Sequence, residues 1–461
     1  MRKTKIICTL GPATDNENVL RQLIQAGMDV ARFNFSHGDH SSHLERYNKL
    51  VKLRNELEIP IATLLDTKGP EIRLGRFEND KPVEIKDGST FTLTTSECIG
   101  NSSCSHITFK GLPGDVTKGT RILIDDGLIE MEVIDLNETD IVCRVINGGV
   151  VSNSKGVNVP NVPLSMPYIS DRDRDDIAFG VKTGFDFIAA SFVRTANDVV
   201  AIRAVLEEYD CHSVRIIAKI ENAEGVANID SILRVADGIM VARGDLGVEI
   251  PFERIPIIQK DLIKKGYNAG KQVITATQML DSMIKNSRPT RAEITDVANA
   301  IYDGTSAIML SGETAAGLHP VDAVKTMARI AQTTEHDINY RLRFQQREVE
   351  ESPNVTNAIS HATVTTAHDL NAKAIITVTK TGTTARMISK YRSLSPIVGC
   401  TTDAIVQRQM NLSWGVTPLL VEEKTNTDEL FDCAIEAATN AGIVSSGDLV
   451  VITAGVPLGI S

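Results

Sequence analysis

The chain has no run of about 18 consecutive apolar residues and opens on a polar, basic amino terminus, so neither a spanning helix nor a signal peptide is expected. A cytoplasmic location follows as the expectation. A basic excess is also missing: 48 Lys and Arg against 59 Asp and Glu leave a net charge of −11, which argues against nucleic acid or an anionic membrane as the main partner. Cysteine is sparse and shows no pairing pattern. The seven, at positions 8, 98, 104, 143, 211, 400 and 433, lack metal-type spacing, so buried or incidental free thiols are expected rather than a disulfide framework. The nine histidines form no metal-type cluster either, and His37, His40 and His43 at helical spacing predict a solvated or capping face.

What the chain does contain is one repeated unit. Short apolar runs at 5–10, 30–35, 61–66, 185–192, 214–221, 238–243, 272–277 and 307–311 are strand candidates. Segments between most of them carry helical spacing, as in Val19, Leu20, Leu23, Ile24 and Met28, so parallel strands with crossover helices are predicted. Eight units imply a closed (β/α)8 TIM barrel whose site lies at the carboxyl ends of the strands. One connection breaks the rhythm, since about a hundred residues follow Asp66 before the next barrel strand. Within them, short β runs alternate with turn signals at Asp87-Gly88, Asp126-Gly127 and Asn147-Gly148, which predicts an inserted small β-barrel able to act as a lid. From about Val349 helices and strands alternate again, as a separate open α/β domain. The predicted organisation is α/β: barrel at 1–69 and 168–345, lid at 70–167, carboxyl-terminal domain at 346–461.

Polar residues concentrate at the predicted strand ends. Lys219 and Glu221 sit at i and i+2 of one strand and so share a face, while Arg243, Gly244 and Asp245 close the next. Buried charges are costly unless paired or metal-bound, so a lysine beside carboxylates marks a site for a cation and an anionic substrate, or else an ion pair of Lys219 with Glu221 or Asp245. Arg32, Asn34 and Ser36 alternate onto one face after the second run; the arginine suits a phosphate or carboxylate, the oxygens a hard cation. A capped turn explains such a run equally. Asp66, Thr67 and Arg73 extend the third, Thr277 on the seventh is a proton relay or core packing, and Glu313 after the eighth is placed on the same rim. In the last domain Thr379, Lys380, Thr381, Gly382, Thr383 and Thr384 lie between a strand and a helix, as a phosphate-holding loop or a hydroxyl-rich cap.

Taken together, FNFSHG, LDTKGPEIR, IAKIENAEG, MVARGDLGVEIP, ITATQMLDSM, RPTRAE, DVANAIYDGT and MLSGETAAG resemble the pyruvate kinase family, in its order and from Lys3 to the last residues. The resemblance implies phosphoryl transfer from phosphoenolpyruvate to ADP with Mg2+ (or Mn2+) and K+. It places magnesium on Glu221 and Asp245, and potassium on Asn34, Ser36, Asp66 and Thr67. Arg32 would meet the substrate phosphate, Asn34, Arg73 and Lys155 the nucleotide, and Lys219, Gly244, Asp245 and Thr277 the substrate. Lys219, Arg32 and Thr277 would be catalytic, Lys219 as an electrostatic catalyst. Glu71 stands where potassium-independent members carry lysine, which predicts a potassium requirement. The 379–384 loop resembles the family's sugar-phosphate effector pocket, with a nucleotide effector also open, in a homotetramer. Part of that pocket and of the tetramer contact is expected beyond Ser461. Two other readings stay open: a Schiff-base aldolase using Lys219, and a metabolite sensor without turnover.

Overall fold

The eight apolar runs are the eight strands of a closed parallel barrel: β1 (Lys5–Thr9), β2 (Val30–Asn34), β3 (Ala62–Asp66), β4 (Phe187–Ala190), β5 (Arg215–Ile220), β6 (Gly238–Ala242), β7 (Gln272–Ala276) and β8 (Ala307–Leu310). Each strand pairs with its sequence neighbours and β1 closes on β8. The computed structural model describes residues 1–347, 354–424 and 426–454.

Alternation along each strand divides two apolar sets. Ile6, Ala31, Phe33, Leu65, Ile216 and Ile239 point out to the helices, whereas Ile7, Val30, Leu64, Ile217, Met240 and Ile274 fill the interior. Strands buried on both faces must be apolar nearly throughout, which is why the runs were conspicuous. Inside, the apolar layer gives way at the carboxyl ends to Thr9, Arg32, Asp66 and Lys219, all buried. At the other end the interior is plugged by Leu412, a fully buried residue of the carboxyl-terminal domain.

The insert between β3 and β4 carries a seven-stranded sheet that runs from Ile72–Arg73 to Cys104–His106. Its edges meet through the Leu74 to Ile107 bridge, with Gly75 N donating to His106 O at 2.8 Å. Phe91, Leu93, Ile122, Met131 and Val145 form its own core. Of the three turn signals, Asp126-Gly127 makes a hairpin, joining strands Arg121–Ile124 and Ile129–Leu136. Asn147-Gly148 instead leads the chain across to a small second sheet, where any Cβ at Gly148 would collide with Ile85 O. The chain returns to the barrel at helix Asp171–Thr183, capped by Ser170, and Asp173 Oδ1 accepts from Gly69 N at 2.9 Å.

The last domain holds a parallel sheet in the order Val416–Leu420, Ile397–Thr401, Ala374–Val378, Val450–Ala454. Helices Ala404–Met410 and Thr427–Asn440 and strand Val416–Leu420 were not anticipated. Pro418 sits in that strand, which is tolerable because it is an edge. Among the described residues no helix is long and apolar enough to cross a membrane.

Candidate active site

The polar layer at the carboxyl end of the barrel is one connected network. Arg32 is held by Asp66, Nε to Oδ2 at 2.6 Å, and by Thr9 Oγ1, which accepts from Nη1 at 2.9 Å. Lys219 Nζ lies 3.1 Å from Asp66 Oδ1 and 3.0 Å from Glu221 Oε1, and donates to Ser191 Oγ at 2.7 Å. The i, i+2 spacing therefore does put Lys219 and Glu221 side by side, and here Glu221 is an ion-pair partner of the lysine. So is Asp66.

Burial opposes charge on all three groups, and the neighbours decide the outcome. At Asp66 burial raises the pKa, but Arg32 and Lys219 outweigh it and hold the carboxyl below its ordinary value. Burial likewise lowers Lys219, yet Asp66 and Glu221 carry the ammonium above its ordinary value. Glu221 goes the other way: burial lifts it to about 8, Lys219 lowers it, and Asp245 and Asp66 add to the rise. Asp66 and Lys219 thus form the ionised couple, and Glu221 is the carboxyl that keeps its proton longest. Its Oε1 is buried and accepts no hydrogen bond despite the nearby ammonium. Its Oε2 accepts from Phe192 N at 2.6 Å.

Ser191 and Phe192, which end β4, were not singled out from the sequence. Ser191 Oγ approaches Asp66 Oδ1 at 3.1 Å and donates to Thr67 O at 2.6 Å, while Phe192 takes φ +54°, a left-handed conformation rare for a bulky residue. Their only signal was a hydroxyl at the polar end of an apolar run.

Asn34 and Asp66 are register partners on β2 and β3, so oxygen donors from the two strands converge there. Ser36 N donates to Asn34 Oδ1 at 3.1 Å, and Thr67 is buried with its N–H on Ala189 O. On the opposite side, Thr277 follows β7 at φ +65°, its Oγ1 donating to Ala276 O at 2.6 Å and accepting from Gly244 N at 2.9 Å. Arg243 clamps the same turn through Ala276 O, Thr277 O and Asp296.

A cavity of about 650 Å³ lies between barrel and insert, lined by Asp245, Asn222 and Phe192 from one side and Arg73, Lys155 and Asp126 from the other. Arg73 is paired with Glu71 at 2.9 Å and Lys155 with Asp125 at 2.8 Å. Arg32, Lys219, Asn34, Ser36, Asp66, Thr67 and Thr277 do not line it. The 379–384 residues lie away from the barrel mouth, in the last domain, where Gly382 at φ +74° precedes a short helix and Thr381 Oγ1 donates to Thr383 Oγ1 at 2.9 Å.

Two expectations are corrected. Glu313 is buried and its carboxylate accepts from Leu280 N and Ser311 N, so it pins two loops rather than lining the rim. His43 is not a solvated face: it is buried and stacks on Phe35 at 4.2 Å, while His40 pairs with Asp176 and His37 lies outside the helix His40–Glu56. All seven cysteines are free, as expected.

The family model for the pyruvate kinase barrel domain matches residues 1–324, and that for the pyruvate kinase alpha/beta domain matches 357–461. A pyruvate kinase of Geobacillus stearothermophilus is 53% identical over 460 residues, covering 99% of this chain and 78% of the relative. One of Clostridium acetobutylicum is 50% identical over 462 residues, covering 100% and 98%. The crystal structure of a pyruvate kinase from Cryptosporidium parvum superposes with a TM-score of 0.95 at 44% identity, covering 99% of this chain and 94% of the other. A closed eight-strand barrel with a charged carboxyl rim, an inserted β domain, a terminal α/β domain and two family models over most of its length together show that the chain belongs to the pyruvate kinase family.

Proposed function

We propose that the network of Arg32, Asp66, Ser191, Lys219 and Glu221 carries the family's reaction, transfer of the phosphoryl group of phosphoenolpyruvate to ADP with release of pyruvate and ATP. The observation that carries this reading is Lys219 Nζ, a buried ammonium kept charged by two carboxylates at the barrel mouth. Phosphoryl transfer depends on positioning and charge neutralisation rather than covalent help, so a fixed positive charge is what the step requires. Arg32 would bind the substrate phosphate, its plane set by Asp66 and Thr9. Lys219 would neutralise the transferring group and the enolate left behind. Thr277 Oγ1, through ordered water, would deliver the proton to the methylene carbon, with Gly244 beside it against the substrate. Arg73, Lys155 and Asn34 would hold the nucleotide, two of them on the insert, which then works as a lid.

The donors present fit the expected ions. Among the described residues no group of three or more His, Cys, Asp or Glu is arranged around a metal, so a divalent ion rests on Glu221 and Asp245. Two carboxylates completed by substrate oxygens suit magnesium, and the unsatisfied Glu221 Oε1 is a ready ligand atom. Bound there, Mg2+ or Mn2+ would supply Lewis-acid neutralisation of the phosphoryl oxygens. Asn34, Ser36, Asp66 and Thr67 offer the all-oxygen set that K+ takes, and Glu71, paired with Arg73, offers no ammonium in its place.

A Schiff-base lysine needs a depressed pKa, and the carboxylates around Lys219 push the other way, which favours the electrostatic role. We also propose the division at 69/70, 167/168 and 345/346, a cytoplasmic homotetramer, and an effector phosphate on the 379–384 loop. That loop follows strand Ala374–Val378, where the strand order reverses, the usual place for a ligand in an open α/β sheet. The test is a coupled assay: the purified protein is expected to consume phosphoenolpyruvate only with ADP, magnesium and potassium together. No pyruvate under those conditions sinks the proposal, and full activity without potassium sinks the potassium set.

A further inference from the structure

We propose that Cys98 and Cys104, on the inserted domain, are a modification site that closes reversibly into an intramolecular disulfide. Their sulfurs lie 3.9 Å apart, and among the described residues no other two thiols are in hydrogen-bond contact. Both are partly exposed, whereas Cys8, Cys143 and Cys400 are buried and Cys211 faces Ser213.

The backbone brings the pair together. Asn101 Oδ1 accepts from Ser103 N at 2.8 Å and Cys104 N at 3.1 Å, and Asn101 N donates to Cys104 O at 2.8 Å. This tight turn folds Cys104 back beside Cys98. A disulfide needs an S–S distance of about 2.05 Å, so the sulfurs must approach by roughly 2 Å. The loop between them can yield, since Ile99 is 64% exposed and Asn101, Ser102 and Ser103 are exposed too. Its one firm anchor is Gly100, whose N–H donates to Arg76 O and whose carbonyl accepts from Glu78 N.

The chemistry needs a low-molecular-weight disulfide as oxidant. The Cys98 thiolate attacks one of its sulfurs and expels a thiolate, leaving a mixed disulfide on Cys98. Cys104 gives its proton to solvent and displaces the second thiolate from the Cys98 sulfur. The protein pair loses two electrons and two protons, and the small disulfide becomes two thiols. Burial, and next the neighbouring Cys98, raise Cys104 to about 11, which suits it to the second, intramolecular step rather than to the first attack.

The full chain is incubated with oxidised glutathione, alkylated with iodoacetamide and digested with trypsin, which leaves both cysteines on the fragment 87–110. The expected product is that fragment unalkylated and lighter by two hydrogens, restored to two alkylated thiols by dithiothreitol. Cys104→Ser is expected to stop at a glutathione adduct on Cys98. The inference is overturned if the two thiols are alkylated as readily as Cys211, or if wild-type chains collect separate glutathione adducts on Cys98 and Cys104.

Discussion

Lys219 shows at the scale of one residue how burial and pairing compete. An ammonium taken out of water costs several kcal/mol, and its two carboxylates offset that only while they are ionised. Lys219→Met is therefore expected to lower turnover by about 10³-fold or more, as loss of a preorganised charge does. It is also expected to destabilise the fold by about 3 kcal/mol at neutral pH, because Asp66 and Glu221 are left buried and uncompensated. Turnover in a coupled assay and a thermal melt of the same preparation check both outcomes. Glu221 supplies a pH signature. Its folded pKa of about 8 exceeds the ordinary 4.5, so the native state binds the extra proton and stability is lost as pH rises between those values. Chelator-treated protein is expected to melt progressively lower from pH 5 to 8, by at most about 1.4 kcal/mol per pH unit, and magnesium to restore it at pH 8. Glu221→Gln should flatten that slope; an unchanged slope refutes the assignment. Lys219 and Glu221 were legible in the sequence because period two places them on one face. Ser191 was not, since one hydroxyl after Ala189 and Ala190 looks like a strand ending, and only the fold brings it against Lys219 and Asp66.

Among elements, the strand ends and the loops leaving them do the positioning. Gly69, in the loop that leaves β3 for the insert, has φ +73°, and an added Cβ would come within 2.8 Å of Ser191 Cβ. Gly69→Ala is expected to cost about 1–2 kcal/mol for the left-handed backbone alone and to push Ser191 off Lys219. The result should be a lower melting temperature with a fall in kcat larger than any change in KM; a kcat held at the wild-type value would show that Ser191 does not position the lysine. Element by element, the eight barrel strands were readable because burial on both faces forces continuous apolar runs. Strand Val416–Leu420 escaped, since Pro418 argues against a strand and only an edge position permits it. The Asn147-Gly148 signal misled for a similar reason: glycine there serves close approach to Ile85 O, not a hairpin.

The whole molecule is held by polar contacts between the barrel and the last domain that no local pattern announces. Arg408 Nε donates to Asp186 Oδ1 at 2.9 Å, and Gln409 Nε2 donates to Asp186 O and Ser213 O. Burial raises Asp186 above its ordinary value while Arg408 opposes the rise. Arg408→Met should therefore cost about 3–5 kcal/mol at neutral pH by stranding a buried carboxylate, and less as pH falls and Asp186 takes up a proton. Melts at pH 7 and pH 4.5 measure the difference; equal losses would show that the charge is not what matters. The order of the large units could be read from the change in rhythm after Asp66 and again after the barrel. How they dock could not, because Arg408 and Leu412 meet the barrel more than 200 residues away in sequence. Leu412 has a further consequence. By stoppering the base of the barrel with a side chain from the far domain, it turns the interior into a blind well with one doorway. Acid, nucleotide and water must queue at the same opening, so the nucleotide leaving last would hold the next acid out, and order of release becomes a property of the architecture.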